Sequence, residues 1–173
     1  PATAMTHLEK AHAIHFRLAE ELVPEIAHSA AEPLKVASKW LAADECGFRH
    51  DPGAPGEKAS PVFIVGFPRS GTTMLEQMLD AHPGYASMDE RATLQRCIEQ
   101  LEKRGFEYPR DLDQLDAAGA DDLRQVYWAE VAKVISLAPG QQLVDKNPLN
   151  MLRLPMIVRL FPNAKIILAL RHP

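Results

Sequence analysis

Pro61-Val62-Phe63-Ile64-Val65-Gly66-Phe67-Pro68-Arg69-Ser70-Gly71-Thr72-Thr73 is the stretch on which the reading of the fold turns. Its first half is a short β-branched and apolar run, the signature of a buried strand. Its second half is bounded by Gly66 and Gly71 and runs into MLEQMLDA, a segment with helical spacing of apolar residues. A strand, a glycine-bounded loop and a helix aim backbone N–H groups and a helix N-terminus at an anion. The spacing Gly66-x4-Gly71-x-Thr73 is that of a nucleotide phosphate loop, G-x-x-x-x-G-K-[ST], with Thr72 where the lysine belongs. That lysine reaches the β- and γ-phosphates, so a loop without it suits a shorter, differently charged phosphate group. Arg69, inside the loop, offers a planar donor fork in place of a point charge.

Outward from the loop, the pattern alternates. The helix after it is expected from Thr72 to Ala81, burying Met74, Leu75, Met78 and Leu79 and stopped by His82-Pro83-Gly84. Asp89 reads as the N-cap of a helix from Glu90 to Arg104, closed by Gly105. Residues 106–119 read as loop, and a helix follows from Asp121 to Leu137 with Leu123, Tyr127, Val131, Val134 and Ile135 inward. A second strand, Gln142 to Asp145, leads into Lys146-Asn147-Pro148. A helix from Leu149 to Phe161, bent at Pro155, precedes a third strand, Lys165 to Arg171. Apolar strands alternating with helices predict an α/β fold, a parallel sheet in three layers with helices on both faces. Ligands of such sheets bind beyond the strand C-termini, where Gly66, Lys146 and Arg171 converge. Three strands are few for an open sheet of this class, so the chain reads as part of a larger unit.

Ahead of the loop, residues 1–46 predict a small helical segment: one helix from Thr6 to Ala27, kinked at Pro24, and one from Pro33 to Cys46. The pair would suit the end of a helical repeat array, although one pair shows no period. Residues 47–60, GFRHDPGAPGEKAS, are rich in Gly, Pro and charge and read as a linker to a domain spanning 61–173.

Composition sets outer limits. A chain of 173 residues suits one domain with a small appendage and buries roughly 70% of its unfolded surface. A net charge of −4 gives no basic footprint, which speaks against a dedicated nucleic-acid binder. Cys46 and Cys97 stand in no metal or redox spacing and read as reduced thiols, consistent with a cytoplasmic protein. No apolar run is long enough to span a membrane. The seven histidines, His12 and His15 among them, read as helix-surface or turn residues rather than ligands, and no metal is expected. Trp40, Tyr127 and Trp128 read as packing residues.

PVFIVGFPRSGTTMLEQMLDAHP, then Asp89-Glu90, VDKNPLN and LFPNAKIILALRHP, resemble the sulfotransferases that use 3′-phosphoadenosine 5′-phosphosulfate (PAPS). Within that family the resemblance is nearest to bacterial sulfotransferases with tetratricopeptide repeats and to tyrosylprotein sulfotransferases. It covers residues 61–173, where three ordered motifs agree in type and spacing. It implies that Pro68, Arg69, Ser70, Gly71, Thr72 and Thr73 wrap the 5′-phosphosulfate and that Arg171 binds the 3′-phosphate. It implies that Glu90, by its distance from Arg69, is the catalytic base, and that Lys146 steadies the transferring group and the leaving phosphate. It also implies a serine and a further strand beyond Pro173 that complete the donor site.

Sulfuryl transfer asks for alignment and positive charge on developing oxyanions, which Arg69, Lys146 and helix amides supply without metal. The acceptor is a hydroxyl on a carbohydrate, tyrosyl peptide, lipid or small molecule, and the N-terminal helices offer a surface for a protein partner. On local grounds alone, other readings stand beside these. Glu90 would complement a helix dipole, Thr72 and Thr73 would cap a helix, Lys146 would be a solvated strand-end lysine, and Arg171 would pair with a carboxylate. For the whole chain the rivals are a divergent phosphate-loop kinase or nucleotidase, and a non-catalytic binding module. The substituted lysine and the lack of a strand-end aspartate for Mg²⁺ count against the kinase.

Overall fold

A computed structural model of the chain describes residues 5–7, 10, 11, 13, 14, 17, 31–42, 51 and 53–170. The described residues between 5 and 17 are helical; the rest of the first expected helix, residues 43–46 of the second, and Arg171 lie outside the described residues. Helix α1 spans Ala31–Ala42. Strand β1 (Val62–Gly66) is followed by α2 (Thr72–Asp80) and β2 (Tyr85–Met88). Then come α3 (Thr93–Lys103), α4 (Ala117–Ala132), β3 (Gln142–Lys146), α5 (Leu154–Leu160) and β4 (Lys165–Ala169).

The four strands form one parallel sheet in the order β2-β3-β1-β4. Val62 lies opposite Val144 on one side and Lys165 on the other. Side chains alternate between faces along each strand. Phe63, Val65, Leu143 and Met88 point into the larger core, where α3, α4 and α5 supply Leu94, Leu101, Leu123, Tyr127, Met156 and Leu160. Phe63, Tyr127 and Phe161 pack ring against ring, with centroids 5.0–6.2 Å apart. Val62, Ile64 and Val144 face the other way, against Leu75 and Leu79 of α2. Helices thus cover both faces of a parallel sheet, the α/β architecture expected, and α1 lies on α5 and the turn before it.

Five details depart from the sequence reading. Strand β2 follows His82-Pro83-Gly84 directly, where no strand was expected; its run Tyr-Ala-Ser-Met is too short and too small to announce itself. Met74 and Met78 are exposed, at 66% and 65%, and α2 turns Thr72 and Glu76 inward instead. The helix after β2 starts at Thr93 behind Ala92, so Asp89 is no N-cap; it sits in the loop at the strand end. Helix α4 begins earlier, at Ala117, because Asp116 caps it by accepting the Gly119 N–H, and it ends at Ala132. The segment expected as one bent helix is a 3₁₀ turn, Pro148–Arg153, followed by α5 with Pro155 in its first turn, where a missing N–H costs nothing.

Of the residues read as a linker, 47–50 and 52 lie outside the described residues. Within the remainder, Gln142 Nε2 donates to the carbonyls of Glu57 and Ser60, and Asn163 Nδ2 donates to that of Pro55.

Candidate active site

Because the strands are parallel, the loops that leave β1, β2 and β3 emerge at one edge of the sheet. They line one cavity of about 700 Å³, walled by Pro68, Arg69, Ser70, Gly71, Thr72, Thr73, Glu90, Pro148 and Leu149. The loop after β1 is tightly wound. Arg69 has φ +71° and Gly71 φ +96°, both in the left-handed region. A side chain at Gly66 would meet the Ala169 carbonyl oxygen and Ser70 Oγ, each at 2.8 Å, so only glycine lets β1 hand the chain to the loop there. Gly71 precedes α2 without any side-chain cap, which leaves the N-terminus of that helix open to an outside acceptor. Ser70 Oγ is buried and has no hydrogen-bond partner among the described residues. An orphaned hydroxyl beside an uncapped helix start is a donor set in want of an anion. A phosphate-type anion fits these residues.

Lys146 closes β3 and faces the α2 side of the sheet, as Val144 does two residues earlier. Its buried ammonium donates to Asp89 Oδ1 at 2.9 Å and Glu90 Oε1 at 2.8 Å, and Glu76 Oε2 stands 3.4 Å away. Burial works to discharge Lys146, but the hydrogen bonds to Glu90 and Asp89 and the Glu76 charge outweigh it, so its pKa is raised and it remains a cation. The Asp89 carboxyl is held below its ordinary range, chiefly by the Lys146 ammonium and then by the Glu90 N–H. Asn147, after Lys146, accepts the Leu149 N–H with its side chain and donates to the Arg91 carbonyl. That pair of bonds sets the Pro148-Leu149 wall against the Glu90 loop.

The next-door carboxylate points the opposite way. Asp145 faces the larger core, accepts from the Tyr127 hydroxyl at 2.7 Å, and is completely buried. Burial pushes its pKa up to about 6, against the pull of that hydrogen bond.

The residues singled out in the sequence therefore meet as follows. Pro68 to Thr73 and Glu90 line one cavity, and Lys146 is bonded to Glu90 at its rim. Thr72 is buried while Thr73 is exposed to the cavity. Arg171 lies outside the described residues. Sequence reasoning passed over Glu76, Asp89, Pro148 and Leu149. The one signal for Glu76 was its place one helical turn after Thr72, on the face that also carries Leu75 and Leu79. Among the described residues no helix is long and apolar enough to cross a membrane.

Known proteins resemble the same stretch. Protein-tyrosine sulfotransferase 1 of Mus musculus is 36% identical over 115 residues, 64% of this chain and 30% of that protein. Protein-tyrosine sulfotransferase 2 of Gallus gallus is 34% identical over 114 residues, with the same coverage. The chain thus spans under a third of these relatives' length. Among solved structures, the sulfotransferase domain of the Synechococcus PCC 7002 olefin synthase matches with a TM-score of 0.44 and 27% identity, over 69% of this chain and 50% of that one. The sequence profile of the sulfotransferase family covers residues 61–173, the sheet and every residue around the cavity, and the chain belongs to that family.

Proposed function

We propose that this chain carries the donor-phosphosulfate site and the general base of an enzyme that moves a sulfuryl group from PAPS to an acceptor hydroxyl. One observation carries the reading: an uncapped, arginine-bearing loop and the Glu90 carboxylate line a single cavity, and Glu90 is bonded at 2.8 Å to the buried Lys146 behind it. The mouse and chicken relatives, named as protein-tyrosine sulfotransferases, support a hydroxyl acceptor of the tyrosyl kind.

The donor, when bound, supplies an S–O bond whose cleavage leaves a phosphate anion. This chain's residues do the rest. The loop amides, Ser70, Thr72, Thr73 and Arg69 hold the 5′ end and fix its direction. Glu90, half-exposed at the cavity wall, takes the proton of the acceptor hydroxyl as the acceptor oxygen closes on sulfur from the side opposite the leaving phosphate. Arg69 and Lys146 hold the charge that grows on the leaving oxygen. Each such donor is worth about 3–4 kcal/mol of barrier in a water-poor site, and a positioned base contributes roughly 10²–10⁴-fold.

The test uses the full-length protein. Calorimetry is expected to show adenosine 3′,5′-bisphosphate binding more tightly than ATP with Mg²⁺; the reverse preference overturns the reading in favour of a phosphate-loop kinase. Glu90→Gln is expected to lower kcat by roughly 10²–10⁴-fold with bisphosphate affinity nearly kept. Unchanged turnover removes Glu90 from the base role.

A further inference from the structure

Glu76 is a buried carboxylate that the chemistry above does not use. It is 3% exposed, the fifth residue of α2, a helix that packs on β2 and β3. One carboxylate oxygen accepts the Ser87 hydroxyl and the other stands 3.4 Å from Lys146 Nζ. A buried charge without a partner costs several kcal/mol, so the buried Glu76 carboxylate requires the Lys146 ammonium. The same helix leaves Met74 and Met78 in water while placing this acid inside, against the usual sorting of side chains.

Lys146 has three carboxylate neighbours of unequal kind. Asp89 and Glu90 stand at the wet rim, 79% and 53% exposed, and Glu76 is sealed beneath at 4%. During transfer Glu90 gains a proton, becomes neutral and releases its hold on the ammonium. Asp89 is screened by solvent. Glu76 is then the buried counter-charge that remains, and the Ser87 hydroxyl keeps it in place.

We infer that Glu76 is a positioning residue: it anchors the Lys146 ammonium at the strand end, through turnover, from the same helix that opens the anion loop. The inference rests on the proposed sulfuryl transfer. It makes α2 a rigid link between the group that grips the donor and the cation that meets its leaving oxygen, so the two are set by one element rather than by two loops.

The test compares wild type, Glu76→Gln, Lys146→Ala and the double variant in the full-length protein. Glutamine keeps the volume and the acceptor for Ser87 but lacks the charge. Glu76→Gln is expected to lower kcat roughly 10- to 100-fold, the scale of a misplaced catalytic group. KM for PAPS and the affinity for adenosine 3′,5′-bisphosphate should stay within about threefold of wild type, a split that general unfolding would not give. In the Lys146→Ala background the same change should cost nothing further. Ser87→Ala, which frees Glu76 without altering charge, should lower kcat by a smaller factor and serves if Glu76→Gln fails to fold. Wild-type kcat in Glu76→Gln, or an undiminished loss in the Lys146→Ala background, overturns the inference while the function stands. A wild-type protein that transfers nothing from PAPS to any hydroxyl takes down the function and the inference together.

Discussion

Arg69 is held at φ +71°, a region in which a side-chain-bearing residue costs about 1–3 kcal/mol. Arg69→Gly removes that strain but adds roughly 0.5–1 kcal/mol of chain entropy to be lost on folding. The first effect equals or exceeds the second, so the variant is expected to melt at or several degrees above wild type. Sulfuryl transfer, by contrast, should fall about 10²–10³-fold, the loss typical of one oxyanion donor. Melting and steady-state kinetics on the same preparation check this. A large loss of stability would mean that Arg69 holds the loop together rather than the ligand. Residues of this kind were legible from sequence because their types are wrong for packing: a long cation between two glycines has little core to fill. Glu76 was illegible for the opposite reason. A glutamate in an amphipathic helix is ordinarily solvated, and only β2, with Ser87 on it, shows what that helix face covers.

At the scale of elements, β3 sorts two adjacent charged residues onto opposite faces, Lys146 to the α2 side and Asp145 to the larger core. The alternation of a strand explains it. Asp145 ties β3 to α4 through Tyr127 and to the turn Pro148–Arg153 through Asn150. Its pKa rises from 3.8 to about 6 because burial disfavours the ion. A carboxyl whose folded pKa lies above its unfolded one lends stability below the unfolded value and loses it as pH climbs through the folded one. The protein should therefore lose on the order of 3 kcal/mol from this group between about pH 3 and pH 7. Asp145→Asn, which keeps an acceptor for Tyr127, should flatten that slope; denaturant melts across the window measure it, and an unaltered slope refutes it. The strands β1 and β4 were readable because each is a nearly unbroken apolar run between turn residues, and β3 because Leu143-Val144 stand between Pro139-Gly140 and Asn147-Pro148. Strand β2 was not, since it sits at the sheet edge with Ala86 and Ser87 at its centre, and its pairing with β3 rather than its own composition makes it a strand. The loss of β2 from the reading also misplaced Asp89, which became a cap on paper and is a Lys146 partner in the fold.

Across the whole molecule the two edges of the sheet divide the labour. The C-terminal edge carries the cavity, and the N-terminal edge carries the fastenings of the chain ahead of β1. Asp51 is central to the second. Its Oδ2 lies 3.1 Å from Arg124 Nη1 and 3.5 Å from Arg159 Nη1, all three side chains being buried. Arg124 belongs to α4 and Arg159 to α5, so one carboxylate joins two helices to the approach of the first strand. Asp51→Ala would strand two buried guanidinium groups. Arg124 would keep Asp121 and the Leu160 carbonyl, and Arg159 the carbonyls of Leu112 and Asp116, which places the cost at the low end for a broken buried pair. About 3 kcal/mol is expected, a fall of roughly 6–12 °C in Tm for a chain of this size. The Asp51 pKa is lowered: burial pulls it up, but the Gly53 N–H and the Arg124 and Arg159 charges outweigh that. Such a carboxylate stabilises the fold above its unfolded pKa and ceases to as pH falls through its folded one. The Tm gap between wild type and Asp51→Ala should thus be widest near neutrality and close in acid, while kcat at temperatures where both are folded stays the same. A gap that persists unchanged to low pH would show that Asp51 acts by shape and not by charge; a fall in kcat would show that the two edges are coupled.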